Sequence, residues 1–322
     1  MIFSGINHLW IVQNNSQVLE NIEKINKRGK ARSVSTYDFS SLYTNIPHDK
    51  LLMVLNNIVD FAFKGGYRDY ISINKKSAHF VKTTKNVKQF YNKNTIKDLI
   101  KYILDNCFFT VGKSIYRQTI GIPMGSDPAP FFANFFLFHY ESEWMKELRK
   151  KDLKKAYKYN NISRFIDDLL ALNDGGEFHN SHPEIYPKDL TLNKENENDD
   201  HATWYDLDIT VVDGKFVNKL YDKRDSYHFN IVRLPYKNSN IPLSTFYATI
   251  GAEMLRIARA TSGFFDFITT TSIVLKRMLI QGATVEGIKR VTTNTIKHHW
   301  HIFSKYCFQS KEIIDKLLNE IK

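Results

Sequence analysis

Cysteine is nearly absent from this 322-residue chain, with Cys107 and Cys307 as its only two thiols. Two thiols cannot build a disulfide framework, a zinc ribbon or a zinc finger, and the simplest expectation is a reduced intracellular setting, nuclear or cytoplasmic. Glycine (14) and proline (8) are scarce as well, which excludes a collagenous chain or a Pro/Gly-rich disordered one. No apolar run approaches the ~18 residues of a membrane-spanning helix. The opening MIFSGINHLWIVQNNS lacks the basic start and long apolar stretch of a signal peptide, so the chain is expected not to be secreted. Acid is in deficit: 34 Asp and Glu face 45 Lys and Arg, for a formal net charge of +11. A polyanion suits that balance, either nucleic acid or an anionic membrane surface.

Aromatic residues are plentiful, with 23 Phe and 17 Tyr, so large cores can form. Val18, Leu19, Ile22 and Ile25 predict a helix over 17–28, and residues 32–39 read as a strand. Another helix is predicted over 49–64. The basic, polar stretch 71–93, with Lys75, Lys76, Lys82, Lys85, Lys88 and Lys93, reads as an extended excursion or loop. Asn94 or Thr95 could cap a helix carrying Ile96, Leu99, Ile100, Ile103 and Leu104. Hairpin patterns follow around Gly112 and over 163–173, on either side of a long aromatic helix at 131–148. Strands are predicted at about 203–212 and 215–222, joined by the strong turn pair Asp213-Gly214. From about 244 onward the chain reads as helical. The pattern is an α+β core followed by a helical domain.

Asp167 and Asp168 stand between two apolar runs, Phe165-Ile166 and Leu169 to Leu172. Adjacent carboxylates in apolar surroundings repel each other and lose hydration. A plain polar turn would account for the pair. So would a divalent cation, because Mg2+ favours one or two carboxylates together with substrate phosphate oxygens. Asp38, on a strand expected to be central, would complete a two-metal site. Between them, Gly121-Ile122-Pro123-Met124-Gly125-Ser126-Asp127-Pro128 leads into a helix. Glycines permit close backbone approach and a helix start favours phosphate, although a simple strand-to-helix connection reads the same way.

In this order, STYDFSSLYTNIPH, IGIPMGSDPAPFFANFF and SRFIDDLLAL resemble motifs A, B and C of a reverse transcriptase palm. The wording is similar to the Penelope-like retroelement branch, which is related to telomerase. KLYDKRDSYHFNIVRLPY resembles that group's primer-grip segment, and NSNIP with the helices after it resembles its thumb. The resemblance implies an α+β polymerase right hand: a palm of antiparallel sheet packed on helices, partial fingers and a C-terminal helical thumb. The corresponding divisions are an entry segment at 1–31, a palm at 32–240 with a finger-like insertion at about 51–107, and a thumb at 241–322. Only 37 residues precede Asp38, so most of the N-terminal fingers are expected to be missing. Neither a GIY-YIG endonuclease nor an RNase H domain is recognisable.

The activity implied is RNA-directed DNA synthesis, with an RNA template, a DNA primer and deoxynucleoside triphosphates as partners and two Mg2+ ions, or Mn2+, as cofactors. Asp38, Asp167 and Asp168 would hold the metal. Tyr43 matches the aromatic gate that excludes a ribose 2′-hydroxyl, and Phe39, Gln118, Gly121, Pro123 and Gly125 would flank the nucleotide. Ile120 stands where telomerase carries glutamine before the first motif B glycine. A general-acid lysine would be Lys194 or Lys188, with Lys194 preferred. Arg117, Arg256, Arg259, Lys276, Arg277, Lys289 and Arg290 would track phosphates, and a nucleic acid replaces the membrane surface as the favoured polyanion. The acidic 195–200 would be an exposed loop facing away from the duplex. HHWH lacks partner cysteines and is not a zinc site. A catalytically inactive nucleic-acid-binding remnant is the alternative. An RNA-dependent RNA polymerase is disfavoured by Tyr43, where those enzymes usually carry aspartate.

Overall fold

The computed structural model describes residues 9–66, 68–75, 77–85, 88–229 and 231–321. Residues 1–8 of the expected entry segment, Lys76 of the basic stretch and Asn230 of the primer-grip-like segment lie outside them. The elements run α1 (Asn15–Asn26), β1 (Val34–Ser40), a single turn α2 (Leu42–Asn45) and α3 (His48–Ala62). Then come β2 (Tyr70–Ile73), β3 (Ala78–Val81), β4 (Phe90–Asn92), α4 (Lys93–Asp105), β5 (Phe108–Val111) and β6 (Ser114–Arg117). The long α5 (Ala129–Lys151) and short α6 (Leu153–Ala156) precede β7 (Ile162–Phe165), β8 (Asp168–Leu172), α7 (Glu177–Ile185) and β9 (Thr191–Lys194). The chain closes with β10 (His201–Trp204), β11 (Leu207–Val212), β12 (Lys215–Leu220), α8 (Leu243–Ala260), α9 (Phe264–Ile280), α10 (Val285–His298), α11 (Trp300–Phe303) and α12 (Ser310–Asn319). No helix among the described residues is long and apolar enough to cross a membrane.

Among the described residues two compact units emerge, one of residues 9–12 and 37–195, the other of 13–36 and 196–321. Side-chain bonding at α1 and the β10–β12 sheet helps hold the second together. Asn26 closes a two-way bridge with the Phe216 backbone, at 2.8 and 2.7 Å. Asn218 Nδ2 donates to the Ala260 carbonyl at 2.6 Å. These bonds join α1 and β12 to the C-terminal helices.

The first unit holds a four-stranded sheet in the order β7-β8-β1-β9. Its core gathers Tyr37, Phe39, Phe132, Phe136, Met145, Leu169, Phe178 and Leu192. On α5 the buried Phe132, Ala133, Phe136, Leu137 and Met145 recur at helical spacing, one stripe facing the core. The stretch 71–93, expected as an extended excursion or loop, is extended: among its described residues it forms a sheet, β3-β2-β4. Strands of three or four residues are too short for alternation to register, and their pairing is non-local. The cap of α4 is Asn92, whose side chain accepts from the Thr95 amide at 2.8 Å, two residues earlier than the nearer of the expected positions.

The second unit has its own core, including Phe246, Ile250, Met254, Phe267, Leu275, Ile288 and Phe303. The single strand expected over 203–212 is two strands, broken at Tyr205, which has φ +53°. Asp213 (φ +48°) and Gly214 (φ +72°) make the predicted two-residue turn, both left-handed as a type I′ turn requires. Residues 195–200 are mostly exposed, yet they are not a free loop. The Asn196 side chain accepts from Thr36 N and donates to Val34 O, each at 2.9 Å, and Ser35 Oγ donates to Asp199 at 2.9 Å.

Candidate active site

The hairpin that carries the paired carboxylates closes on Phe165 and Asp168, leaving Ile166 and Asp167 as its two-residue turn. Ile166 has φ +57°, the left-handed region. A β-branched residue there costs on the order of 1–3 kcal/mol and persists only where the surroundings hold it. Leu169 to Leu172 are buried, whereas Asp167 and Asp168 are half-buried. The apolar strand thus anchors the hairpin and leaves the carboxylates at its accessible end.

What holds the turn was not anticipated from sequence. Arg164 is fully buried and donates through Nε and Nη2 to both carboxylate oxygens of Glu141, at 2.6 and 2.9 Å. Its Nη1 donates to Asn134 Oδ1 at 2.8 Å and to the Ile166 carbonyl at 2.7 Å. Tyr186 donates to Glu141 at 3.0 Å. Burial alone would lower the guanidinium's pKa, but the charge and hydrogen bonds of Glu141 outweigh it, so the pKa is raised. Burial first, and then Glu141, push the Tyr186 phenol well above the usual tyrosine range. The Arg164 backbone is pinned as well: its N–H donates to Trp10 O at 2.6 Å, and its carbonyl accepts from Val12 N at 3.0 Å. The one signal available in the sequence was a charged Arg inside an apolar strand and a Glu on the apolar stripe of α5.

β1 lies next to β8, which brings the strand of Asp38 beside that of Asp168. On the other side, Asp38 stands opposite Asn193, Tyr37 opposite Lys194 and Phe39 opposite Leu192. Directly opposed residues share a face. Tyr37 and Phe39 point into the core, meeting Phe178 and Tyr186 edge-on at 5.0 and 4.9 Å. Asp38 is half-buried on the other face, with Asn193 and Ser40, which bond each other at 2.5 Å. Lys194 belongs to the face away from Asp38, and Asn193 holds the position facing that carboxylate. Lys188 is exposed beyond α7. The ring of Phe39 packs in the core, so only its backbone could meet a nucleotide.

Tyr43 sits in α2, just after Ser41, another non-glycine residue at positive φ (+62°). Burial, and then the negative charge of Asp167, raise the Tyr43 phenol above its ordinary range. The aromatic of the first motif therefore lies within electrostatic reach of the third motif's first aspartate.

The glycine loop docks on the same element. Gly121 N donates to Ile46 O at 2.8 Å and Ile122 N to Tyr43 O at 2.5 Å, while His48 Nε2 meets Gly121 O at 2.6 Å. Gly121 has φ +82°, and a Cβ there would meet the Tyr43 carbonyl oxygen at 2.6 Å and Thr44 backbone atoms at 2.8 Å. Its missing side chain thus admits the chain's own backbone. Gly125 (φ +92°) is exposed, and a Cβ there would meet nothing within 4 Å. Pro123 is half-buried, and its carbonyl accepts from Ser126 N and Oγ at 3.3 and 3.1 Å. Gln118 Nε2 donates to the Ile120 carbonyl at 2.9 Å, and Arg117 pairs with Asp105 at 3.2 Å.

In the second unit, Arg259, Lys276, Lys289 and Arg290 are exposed, and the Arg290 guanidinium lies 5.9 Å from the Tyr247 ring centre. Arg256 is paired within the chain, 3.5 Å from Asp206 and 3.4 Å from Glu253, and Arg277 lies 3.6 Å from Asp222. Among the described residues, no group of three or more His, Cys, Asp and Glu is arranged as a ready-made metal cage. The donor chemistry of Asp38, Asp167 and Asp168 nevertheless fits Mg2+, a hard ion held through one or two carboxylates while phosphate oxygens and water complete its shell.

No family model matches the chain, and no curated protein matches it. Among solved structures it is similar to telomerase from Candida albicans in complex with a TWJ fragment of telomeric RNA. That match has a TM-score of 0.63 at 10% identity and covers 96% of this chain and 52% of the other. It is also matched to apo telomerase from Candida tropicalis, with a TM-score of 0.48 at 12% identity, covering 99% of this chain and 51% of that one. The chain spans about half the length of these telomerases. The first likeness shows the fold: mixed α+β, with antiparallel sheets packed against helices, as in that telomerase structure.

Proposed function

We propose that this chain is the polymerising part of an RNA-directed DNA polymerase from a retroelement of the Penelope-like, telomerase-related branch. The observation that carries the reading is the meeting of three sequence motifs in one unit: Gly121 seated on the Tyr43–Thr44 backbone, and Tyr43 within electrostatic reach of Asp167. Three segments more than a hundred residues apart at their extremes thus meet beside half-buried carboxylates, as the motif order implies.

The reaction is attack of a primer 3′-oxygen on the α-phosphorus of a deoxynucleoside triphosphate, with pyrophosphate leaving. Asp38, Asp167 and Asp168 would hold two Mg2+ ions, or Mn2+, which when bound supply positive charge to the triphosphate and the attacking oxygen. The strained Ile166–Asp167 turn presents its carboxylate at a fixed place. The Tyr43 ring, backed by the core, narrows the space beside the sugar and disfavours a 2′-hydroxyl. Exposed Arg259, Lys276, Lys289 and Arg290 suit the phosphates of an RNA template and a DNA primer, through contacts that are independent of sequence and sensitive to salt.

Extension of a DNA primer on an RNA template by the purified protein, with Asp167→Ala as control, tests this reading. Incorporation that disappears in Asp167→Ala supports it, and none above that variant sinks it. A second reading, a nucleic-acid-binding remnant without catalysis, rests on the exposed cations of the second unit alone. It predicts salt-dependent duplex binding without incorporation. A preference for ribonucleotides would revive the RNA polymerase reading.

A further inference from the structure

We propose that Arg164 is a positioning residue whose guanidinium locks the strained Ile166–Asp167 turn, and with it the presentation of the paired carboxylates. The inference rests on the polymerase reading above.

The geometry is specific. A left-handed isoleucine needs an external hold, and the only polar group of Ile166 able to receive one is its backbone. Arg164 Nη1 donates to the Ile166 carbonyl at 2.7 Å, from two residues back in the same hairpin. The guanidinium is itself fixed on every side. Glu141 takes Nε and Nη2, Asn134 shares Nη1, Tyr186 orients Glu141, and residues 10–12 hold the Arg164 backbone. Glu141 and Asn134 both project from α5, so that helix, through Arg164, sets the angle of the turn.

The planar fork explains the residue type. One guanidinium serves a carboxylate through two donors while a third group reaches a carbonyl and an amide oxygen. A lysine ammonium could neutralise Glu141 but could not span all of these acceptors. A buried ion pair adds little net stability over apolar packing, so stability alone does not account for the pair. Fixing the turn is a separate effect: misplacing a reacting group by about 1 Å can cost about 100-fold in rate.

Arg164→Lys keeps the charge opposite Glu141 and is the first variant to make. It should lower kcat about 10- to 100-fold with KM for deoxynucleotide little changed, and should weaken Mn2+ binding measured by paramagnetic resonance without nucleic acid. The decisive variant is the double change Arg164→Lys with Ile166→Asn. Asn accepts the left-handed region readily, so it should restore at least about tenfold of the loss if turn conformation is what Arg164 supplies. Wild type and Asp167→Asn are compared first, in activity and in Mn2+ binding. No difference between them in either measurement overturns the polymerase reading itself. With that difference present, two results would overturn the positioning role alone: a folded Arg164→Lys with full kcat and Mn2+ affinity, or a loss that Ile166→Asn fails to relieve. Should Arg164→Lys not fold, Asn134→Ala, which frees Nη1 of one acceptor, must still change kcat or Mn2+ affinity, and no change overturns the proposal.

Discussion

The carbonyl oxygen of Tyr43 lies 2.6 Å from where a Cβ on Gly121 would sit. The glycine of one motif is a socket for the backbone of another. Gly121→Ala must therefore displace the Tyr43–Thr44 segment and adopt φ +82° with a side chain. Expected is a loss of about 3 kcal/mol, combining left-handed strain with overpacking, read by urea denaturation. Gly125→Ala meets no atoms and should lose only about 1–2 kcal/mol. Equal losses would refute the socket.

Tyr43 offers a test of sugar selection. Tyr43→Phe keeps the ring and should leave discrimination intact, because the hydroxyl is not what fills the space. Tyr43→Ala removes the ring and should raise ribonucleotide over deoxynucleotide incorporation about 10- to 100-fold in kcat/KM ratio. An unchanged ratio in Tyr43→Ala would place the gate elsewhere.

Tyr159 gives the fold an alkaline limit. Its hydroxyl donates to Ser181 Oγ at 2.8 Å and to Glu177 O at 3.1 Å, and burial pushes its pKa up to about 12. In the unfolded chain a tyrosine titrates near pH ~10. The folded value is the higher one, so the contribution is complete below pH ~10 and is lost as pH climbs toward the folded pKa. Wild type should lose more stability between pH 9 and pH 11 than Tyr159→Phe does, in parallel denaturant titrations. Matching losses would contradict this.

Cations in the second unit should separate by partner. Lys276→Ala and Lys289→Ala remove exposed charges and should each reduce the salt slope of duplex binding by about one. Arg256→Gln breaks pairs with Asp206 and Glu253 and should lower thermal stability more than affinity. Fluorescence anisotropy across a salt series, alongside melting curves, distinguishes the two effects.

Much of the architecture was legible along the chain. Asp213-Gly214 could be read as a turn because both residues tolerate positive φ, and the aromatic stripe of α5 because a helix repeats its buried face. Asp38, Asp167 and Asp168 could be singled out from residue type and order, and Tyr43 only through the family resemblance. The sheet over 71–93 could not, because three-residue strands show no period and pair at a distance. Nor could the breaks at Tyr205 and Ile166, where left-handed backbone falls on residues that do not favour it. There the surrounding contacts, not the residue, impose the conformation.

Local chemistry in the chain was thus enough to mark turns, helix faces and carboxylates set in apolar surroundings, since propensity, periodicity and turn preference act over a few residues. Which face each one occupies was decided only by strand pairing, which turned Lys194 away from Asp38 and put Asn193 beside it. Packing likewise gave Gly121 to Tyr43 and buried Arg164 with Glu141 beneath the turn. Those relationships join residues far apart in sequence, and register and burial exist only once the sheet and α5 have come together.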